Sequence, residues 1–244
     1  MKGRTRAGDD VIWHDVECGG YGADLPLWEE LAGDSSGPVL DLGCGTGRVG
    51  LHLARRGHRV VGLDRDDRLL GALDERAAGL PLLTAAGDAR EFQLAERFGL
   101  VLAPMQLIQL LADRDERRRC LRSVASHLAL DGLVALAIVE ETPEATSGPP
   151  PLPDAREVDG WVYSSLPLDA VAGPGSILVR RLRQVLSPGG ELSEELDEIR
   201  LGATSASALE EEAVEVGIHP VGRREIPATA DHVGSTVVLL RGAR

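Results

Sequence analysis

Between Val39 and Glu140 short apolar runs alternate with helix-length amphipathic stretches, and this alternation constrains the fold more than any other feature of the chain. VLDLG (39–43), RVVGLD (59–64), PLLTAAGD (81–88), FGLVLAP (98–104) and GLVALAIVE (132–140) read as strands. TGRVGLHLARRG (46–57) reads as a helix with Val49 and Leu53 inward and Gly57 as its stop, and DRLLGALDERAAG (67–79) as a second. A third helical region centres on 113–129. The strands are apolar throughout, without the polar alternation of a sheet that is wet on one side. They therefore belong to a parallel sheet covered by helices on both faces.

Beyond residue 140 the texture changes. ETPEATSGPPPLPDA (141–155) is rich in Pro and polar residues and reads as a loop. Residues 161–171, 176–187 and 191–203 read as antiparallel strands, the last two joined by a Pro-Gly-Gly turn at 188–190. A helix over 204–217 follows, with Ser205 or Ser207 as cap and Gly217 as stop, and the chain finishes as a hairpin over 218–242. The expected organisation is an N-terminal segment (1–38), a core (39–140 with 204–244) and an antiparallel β insert (141–203).

The chain has 244 residues, 43% hydrophobic and 27% charged, as expected of a soluble globular protein. Acidic residues number 39 against 26 basic ones, for a formal charge of −13. Such a surface repels phosphates, so neither nucleic acid nor an anionic membrane is expected as a partner. Cys18, Cys44 and Cys120 are widely spaced and form no CxxC pair, so no disulfide framework and no structural metal are expected. No signal-like N-terminus and no run near the ~20 apolar residues of a membrane span is present. The expected location is the cytoplasm.

The chemistry concentrates in D-L-G-C-G-T-G, Asp41 to Gly47, which leaves a strand and opens a helix. Glycines at 43, 45 and 47 let the backbone approach a ligand closely. Asp64 ends the next strand, where a carboxylate can accept from both hydroxyls of a ribose. Gly87-Asp88-Ala89 ends the third, where Asp88 can reach an adenine amino group. The dinucleotide fingerprint is G-x-G-x-x-G, but here the position of its third glycine is Arg48. A nicotinamide-dependent oxidoreductase is thus the alternative, not the leading reading.

V-L-D-L-G-C-G-T-G, joined by Asp64 and Asp88, resembles motif I of the class I S-adenosylmethionine-dependent methyltransferases. The resemblance implies a Rossmann-like, mostly parallel seven-stranded α/β sheet whose last strand is antiparallel, with an N-terminal lid and an antiparallel β insert. It implies S-adenosylmethionine as cofactor and a methyl transfer to N or O of a small molecule, in specialised metabolism. Position by position, Gly43, Gly45 and Gly47 would line the methionine part, with Asp41 orienting their loop. Asp64, with Arg65 beside it, would hold the ribose, and Asp88 with Ala89 the adenine. Ala103 and Met105 would sit near the methyl. FGLVLAP departs from many relatives by having Gly99 where they have Asp. Segment 13–31, containing His14, would form the lid, with Tyr21 as its contact to the cofactor. The insert would cover the substrate or form the contact of a homodimer. A non-catalytic S-adenosylmethionine-binding protein is the further alternative.

Ligands of open α/β sheets lie at the carboxyl ends of the strands. That places Met105, Gln106, Glu140-Glu141 and the 227–235 turn around one mouth. His232 is the candidate general base. Glu140 is a second catalytic candidate, and Gln106, Glu140, His232 and Tyr163 are candidates for substrate contact. Each has a plain structural alternative: Asp64 and Asp88 as caps, His232 as a turn residue, Tyr21 and Trp28 as packing. The Arg117-Arg118-Arg119 run reads as a solvated helix face. Five of the seven aromatics, Trp13, Tyr21, Trp28, Trp161 and Tyr163, lie in the lid or insert.

Overall fold

In the computed structural model the described residues are 9–140, 152–229 and 232–242. The chain opens with two helices, α1 (Asp9–Cys18) and α2 (Leu25–Gly33). The core then runs β1 (Val39–Leu42), α3 (Arg48–Ala54), β2 (Val60–Asp64), α4 (Asp67–Arg76), β3 (Leu82–Ala86), β4 (Phe98–Ala103), α5 (Leu107–Leu110), α6 (Arg114–His127) and β5 (Leu128–Ile138). The insert holds β6 (Asp154–Val158), β7 (Trp161–Gly173), β8 (Ser176–Leu186) and β9 (Leu192–Gly202). The chain returns through α7 (Ala206–Val214), β10 (Ile218–Ile226) and β11 (Ser235–Gly242).

The seven-stranded sheet has the order β10-β11-β5-β4-β1-β2-β3, and a separate four-stranded sheet has the order β6-β7-β8-β9. β1 pairs in parallel with β2 and β4, while β11 runs antiparallel to both β5 and β10. This is the expected sheet with its antiparallel last strand. Alternate side chains leave opposite faces, as strand geometry requires. Leu40 and Leu42 enter the cluster containing Phe98, Leu121 and Leu209, whereas Val39 joins Trp28, Val49, Leu53, Leu73 and Leu100. Both faces are covered, which is why the strands read as unbroken apolar runs.

Three local readings change. Asp154 and Ala155, expected in a loop, begin β6, which pairs along β7; the rest of that expected loop (141–151), with Glu141, lies outside the described residues. The third helix stops at His127, and Leu128 already belongs to β5. Arg117 does not belong to a solvated face: it is buried and makes a two-pronged ion pair with Glu212 of α7, at 2.6 and 2.9 Å. Of the two candidate caps for α7, Ser205 takes the role, its hydroxyl accepting from the Ala208 amide.

Gly99 has a clear steric reason. A Cβ there would lie 2.0 Å from the Ser36 carbonyl oxygen, because the segment entering β1 crosses directly over β4. The departure from the family pattern at this position is a packing adaptation. No helix among the described residues is long and apolar enough to cross a membrane.

Candidate functional site

The carboxyl ends of β1, β2 and β4 meet at the glycine loop. Gly43, Gly45 and Gly47 all have left-handed backbone, with φ of 62°, 53° and 94°. Side chains disfavour that region by roughly 1–2 kcal/mol per residue, so the loop's path depends on glycine. The loop is tied to β2: the Gly45 amide donates to Asp64 Oδ2 at 2.9 Å, and the Asp66 amide donates to Asp64 Oδ1 at 3.0 Å. Each oxygen of Asp64 thus carries one backbone bond and keeps a further acceptor position.

Asp41 leaves β1 on the face of Val39, beneath α3, where the Gly50 amide donates to it. It is 2% exposed, and burial pushes its carboxyl up to about 7, against the opposing pull of Arg48. Its position supports the loop from below. Cys44 is buried against Gly62, where an added Cβ would meet its Sγ at 2.8 Å.

Asp88 forms a close pair with Arg90, whose guanidinium and amide both donate to it, and Arg90 also pairs with Glu116 at 2.5 Å. Arg90 is the main reason the Asp88 carboxyl lies down at about 2, and Arg65 adds to the effect. Arg65 itself is exposed, and with Asp66, Asp67 and Arg68 it lines a shallow cleft of about 450 Å³ at the start of α4. Ala89 is half-buried, and Ala103 is fully buried at the end of β4. Met105 follows with φ 53°, a left-handed conformation for a side-chain-bearing residue. Such strain clusters at functional sites. Gln106 is the N-cap residue of α5.

The lid is built from charge as much as from apolar contact. Arg48, the first residue of α3, clamps Asp24 at 2.5 and 2.7 Å, and the Trp28 indole donates to the same carboxylate at 2.8 Å. Arg48 also donates to the Tyr21 carbonyl and lies 5.2 Å from the Tyr21 ring centroid. The Tyr21 ring also meets His232, tilted by 36° with centroids 4.7 Å apart. Burial raises the Tyr21 phenol above its ordinary range. Two residues proposed from distant parts of the sequence are therefore brought together. The turn holding His232 is closed by Thr229, whose hydroxyl accepts from the His232 amide; residues 230 and 231 of that turn lie outside the described set.

Glu140 accepts from the Ala206 amide at 2.8 Å and so helps to cap α7. The neighbouring Gln109 is fully buried and exchanges two hydrogen bonds with the Val139 backbone, at 3.0 and 2.8 Å. Tyr163 is buried edge-on against Trp13, with ring centroids 5.4 Å apart. Trp13, Trp28 and Tyr163 thus serve first as packing between lid, core and insert.

α1 lies between the insert and the glycine loop. Asp15 accepts from Thr46 of the loop at 2.7 Å and from Arg76 of α4 and Arg156 of β6. Burial opposes ionisation of Asp15, but these partners more than offset it and hold its carboxyl low. Glu17 does the same toward the insert, binding Arg183 and Ser165. Arg48, Arg90 and His14 carry no sequence signal of a role at the site: Arg48 meets Asp24 and His14 meets Thr46 far along the chain, and Arg90, beside its near partner Asp88, reaches the distant Glu116. No cluster of three or more His, Cys, Asp or Glu able to hold a metal is present among the described residues.

Residues 39–132 match the model of a methyltransferase domain family. The chain is 32% identical over 116 residues to a cypemycin N-terminal methyltransferase of Streptomyces sp., covering 47% of each chain. It is 30% identical over 136 residues to a ubiquinone biosynthesis O-methyltransferase of Rhizobium etli, covering 54% of this chain and 52% of that one. The chain spans about half the length of the curated relatives it matches. Its fold is similar to that of a sugar N-methyltransferase from Streptoalloteichus, with a TM-score of 0.75 at 16% identity over 100% of this chain and 98% of that one. The class I S-adenosylmethionine-dependent methyltransferase resemblance read from motif I is borne out in both the matched segment and the fold.

Proposed function

We propose that this chain, built on a class I methyltransferase core, transfers a methyl group from S-adenosylmethionine to nitrogen or oxygen of a small molecule, in the cytoplasm and in specialised metabolism. The observation that carries this reading is the left-handed glycine loop after β1, fastened by the Gly45 amide to the β2 carboxylate Asp64. The left-handed path that Gly43, Gly45 and Gly47 allow brings the loop backbone, with its amides, to the methionine part. Asp64 keeps acceptor positions for ribose hydroxyls, with Arg65 alongside. Asp88 and the Ala89 backbone lie where adenine would extend, and Ala103 and Met105 border the reacting end. Tyr21 covers the site from the lid. Asp41 acts through the loop it supports.

Bound there, the cofactor supplies a methyl group already activated by its sulfonium charge. The chain's own task is to position the acceptor and exclude water. An amine attacks only when neutral, and a hydroxyl attacks faster when a base takes its proton. His232, tilted against the Tyr21 ring, is the proposed acceptor of that proton, with Glu140 as second candidate through the oxygen not bound to Ala206. Gln106 and Tyr163 are assigned to the substrate side. Relatives named for N- and O-methylation support a small-molecule acceptor, and the −13 charge favours a neutral or cationic one.

The test is release of S-adenosylhomocysteine from S-adenosylmethionine across a panel of small amines, phenols and alcohols. Turnover with at least one acceptor is expected, and His232→Gln is expected to lower kcat by about 10²-fold. No turnover with any acceptor would contradict the enzyme reading; unchanged kcat in the variant would remove His232 from the chemistry.

The proposed assembly is a homodimer through the outer face of the insert. Val162, Leu186 and Leu192 stand side by side across β7, β8 and β9, as do Leu166, Leu182 and Leu196. These two apolar rungs face away from α1, and Leu192 and Leu196 are 59% and 50% exposed. Among the described residues nothing covers them. Between the rungs stand Ser164, Gln184 and Glu194, and beyond the second come Arg180, Glu198 and Arg200, a mixture of charges that suits a second copy of the same face.

A further inference from the structure

His14 of α1 lies directly on the glycine loop. A Cβ built on Gly45 would fall 2.1 Å from His14 Nε2, so the imidazole fills the space above that glycine. Its other nitrogen, Nδ1, is 3.1 Å from Thr46 Oγ1. The hydroxyl proton of Thr46 is already donated to Asp15 Oδ1 at 2.7 Å, and Asp15, paired with Arg76 and Arg156, is an ionised acceptor. Thr46 can therefore only accept from His14. This places the ring proton on Nδ1 and leaves Nε2 a bare acceptor, with no hydrogen-bond partner among the described residues. Asp64 is close enough to influence the ring's charge.

We propose that His14 is a cofactor-contacting residue: its neutral ring accepts a hydrogen bond at Nε2 from S-adenosylmethionine seated on the glycine loop, and its protonation disfavours the cationic cofactor. The proposal rests on the methyltransferase reading above. A protonated His14 would lose the acceptor and would also set a positive charge near the sulfonium. S-adenosylhomocysteine, whose sulfur is neutral, would suffer only the first effect.

The groups around the ring are consistent with a neutral resting state. Burial lowers its pKa, Arg48 of α3 works in the same direction, and Asp15 and Glu17 of α1 and Asp64 of β2 oppose both. Arg76 of α4 and Arg156 of β6 face the ring through Asp15, whose charge they offset. The folded-state value thus lies below the ordinary histidine value of about 6.5. The neutral form is complete above that value, and the acceptor is lost only as pH falls through the lowered one.

The experiment is calorimetric titration of the full chain with S-adenosylmethionine and with S-adenosylhomocysteine, at about pH 8 and about pH 5.5. Wild type is expected to bind S-adenosylmethionine progressively more weakly as pH falls below the ordinary histidine value, and to lose less for S-adenosylhomocysteine. His14→Gln keeps an acceptor without titrating, so its affinities should be near wild type at the higher pH and fall clearly less on acidification. His14→Phe should weaken both ligands about fivefold at the higher pH, with an unchanged circular dichroism spectrum. If His14→Gln retains the wild-type pH dependence, or His14→Phe binds like wild type, the inference is wrong while the methyltransferase reading stands. If wild type binds neither ligand at either pH, that reading falls and takes this one with it.

Discussion

Asp41 is a carboxyl buried beneath α3, where the Gly50 amide donates to it, and burial raises its pKa to about 7. The folded protein therefore holds the proton longer than the unfolded chain does. The stability associated with that proton is full below the ordinary carboxylate value and is lost as pH rises toward about 7. Asp41→Asn keeps an acceptor for the Gly50 amide without this penalty. It is expected to gain at least about 1 kcal/mol relative to wild type on going from pH 5 to pH 8, read by urea unfolding. Equal pH dependence of the two proteins would contradict the assignment. Asp41, Asp64 and Asp88 were legible because each stands at or close to the carboxyl end of a strand. Arg48 was visible only as a misfit to the dinucleotide pattern, because its partner Asp24 lies in a different helix.

At the scale of elements, the strands and helices of the core were legible because each is long, periodic and bounded by glycine or a cap. β6 was not, since the proline-rich run before it masks the short pairing with β7 that only the folded insert supplies. Nor was the function of α1, because Asp15 and Glu17 meet arginines that come only from α4 and from the insert. Arg117 illustrates the same limit: its triplet with Arg118 and Arg119 looks uniform, yet Glu212 draws it alone into the α6–α7 contact. Arg117→Ala would strand the Glu212 carboxylate in a buried site, and a loss of about 3–5 kcal/mol is expected in urea unfolding. Replacing both partners, Arg117→Met with Glu212→Leu, should recover most of it. A single variant as stable as wild type would show that the pair contributes nothing.

At the scale of the whole molecule, the expected seven-stranded order and the insert are both present, and α1 joins them by hydrogen bonds to each. Aromatics expected around a substrate also hold this assembly together: Trp28 is fully buried, and Trp13 and Tyr163 are nearly so. The outer face of the insert carries adjoining exposed leucines, and Leu192→Glu with Leu196→Glu is expected to convert a dimer into a monomer in light scattering. A wild-type monomer would remove the proposed interface. The glycine loop and Asp64 together are the proposed S-adenosylmethionine site, and thermal unfolding with added ligand tests this most directly. At about a hundredfold excess over Kd, S-adenosylmethionine and S-adenosylhomocysteine should each raise Tm by about 5–10 °C, NAD should not, and Asp64→Ala should abolish the shift. Stabilisation by NAD alone, or an undiminished shift in the variant, would contradict the account.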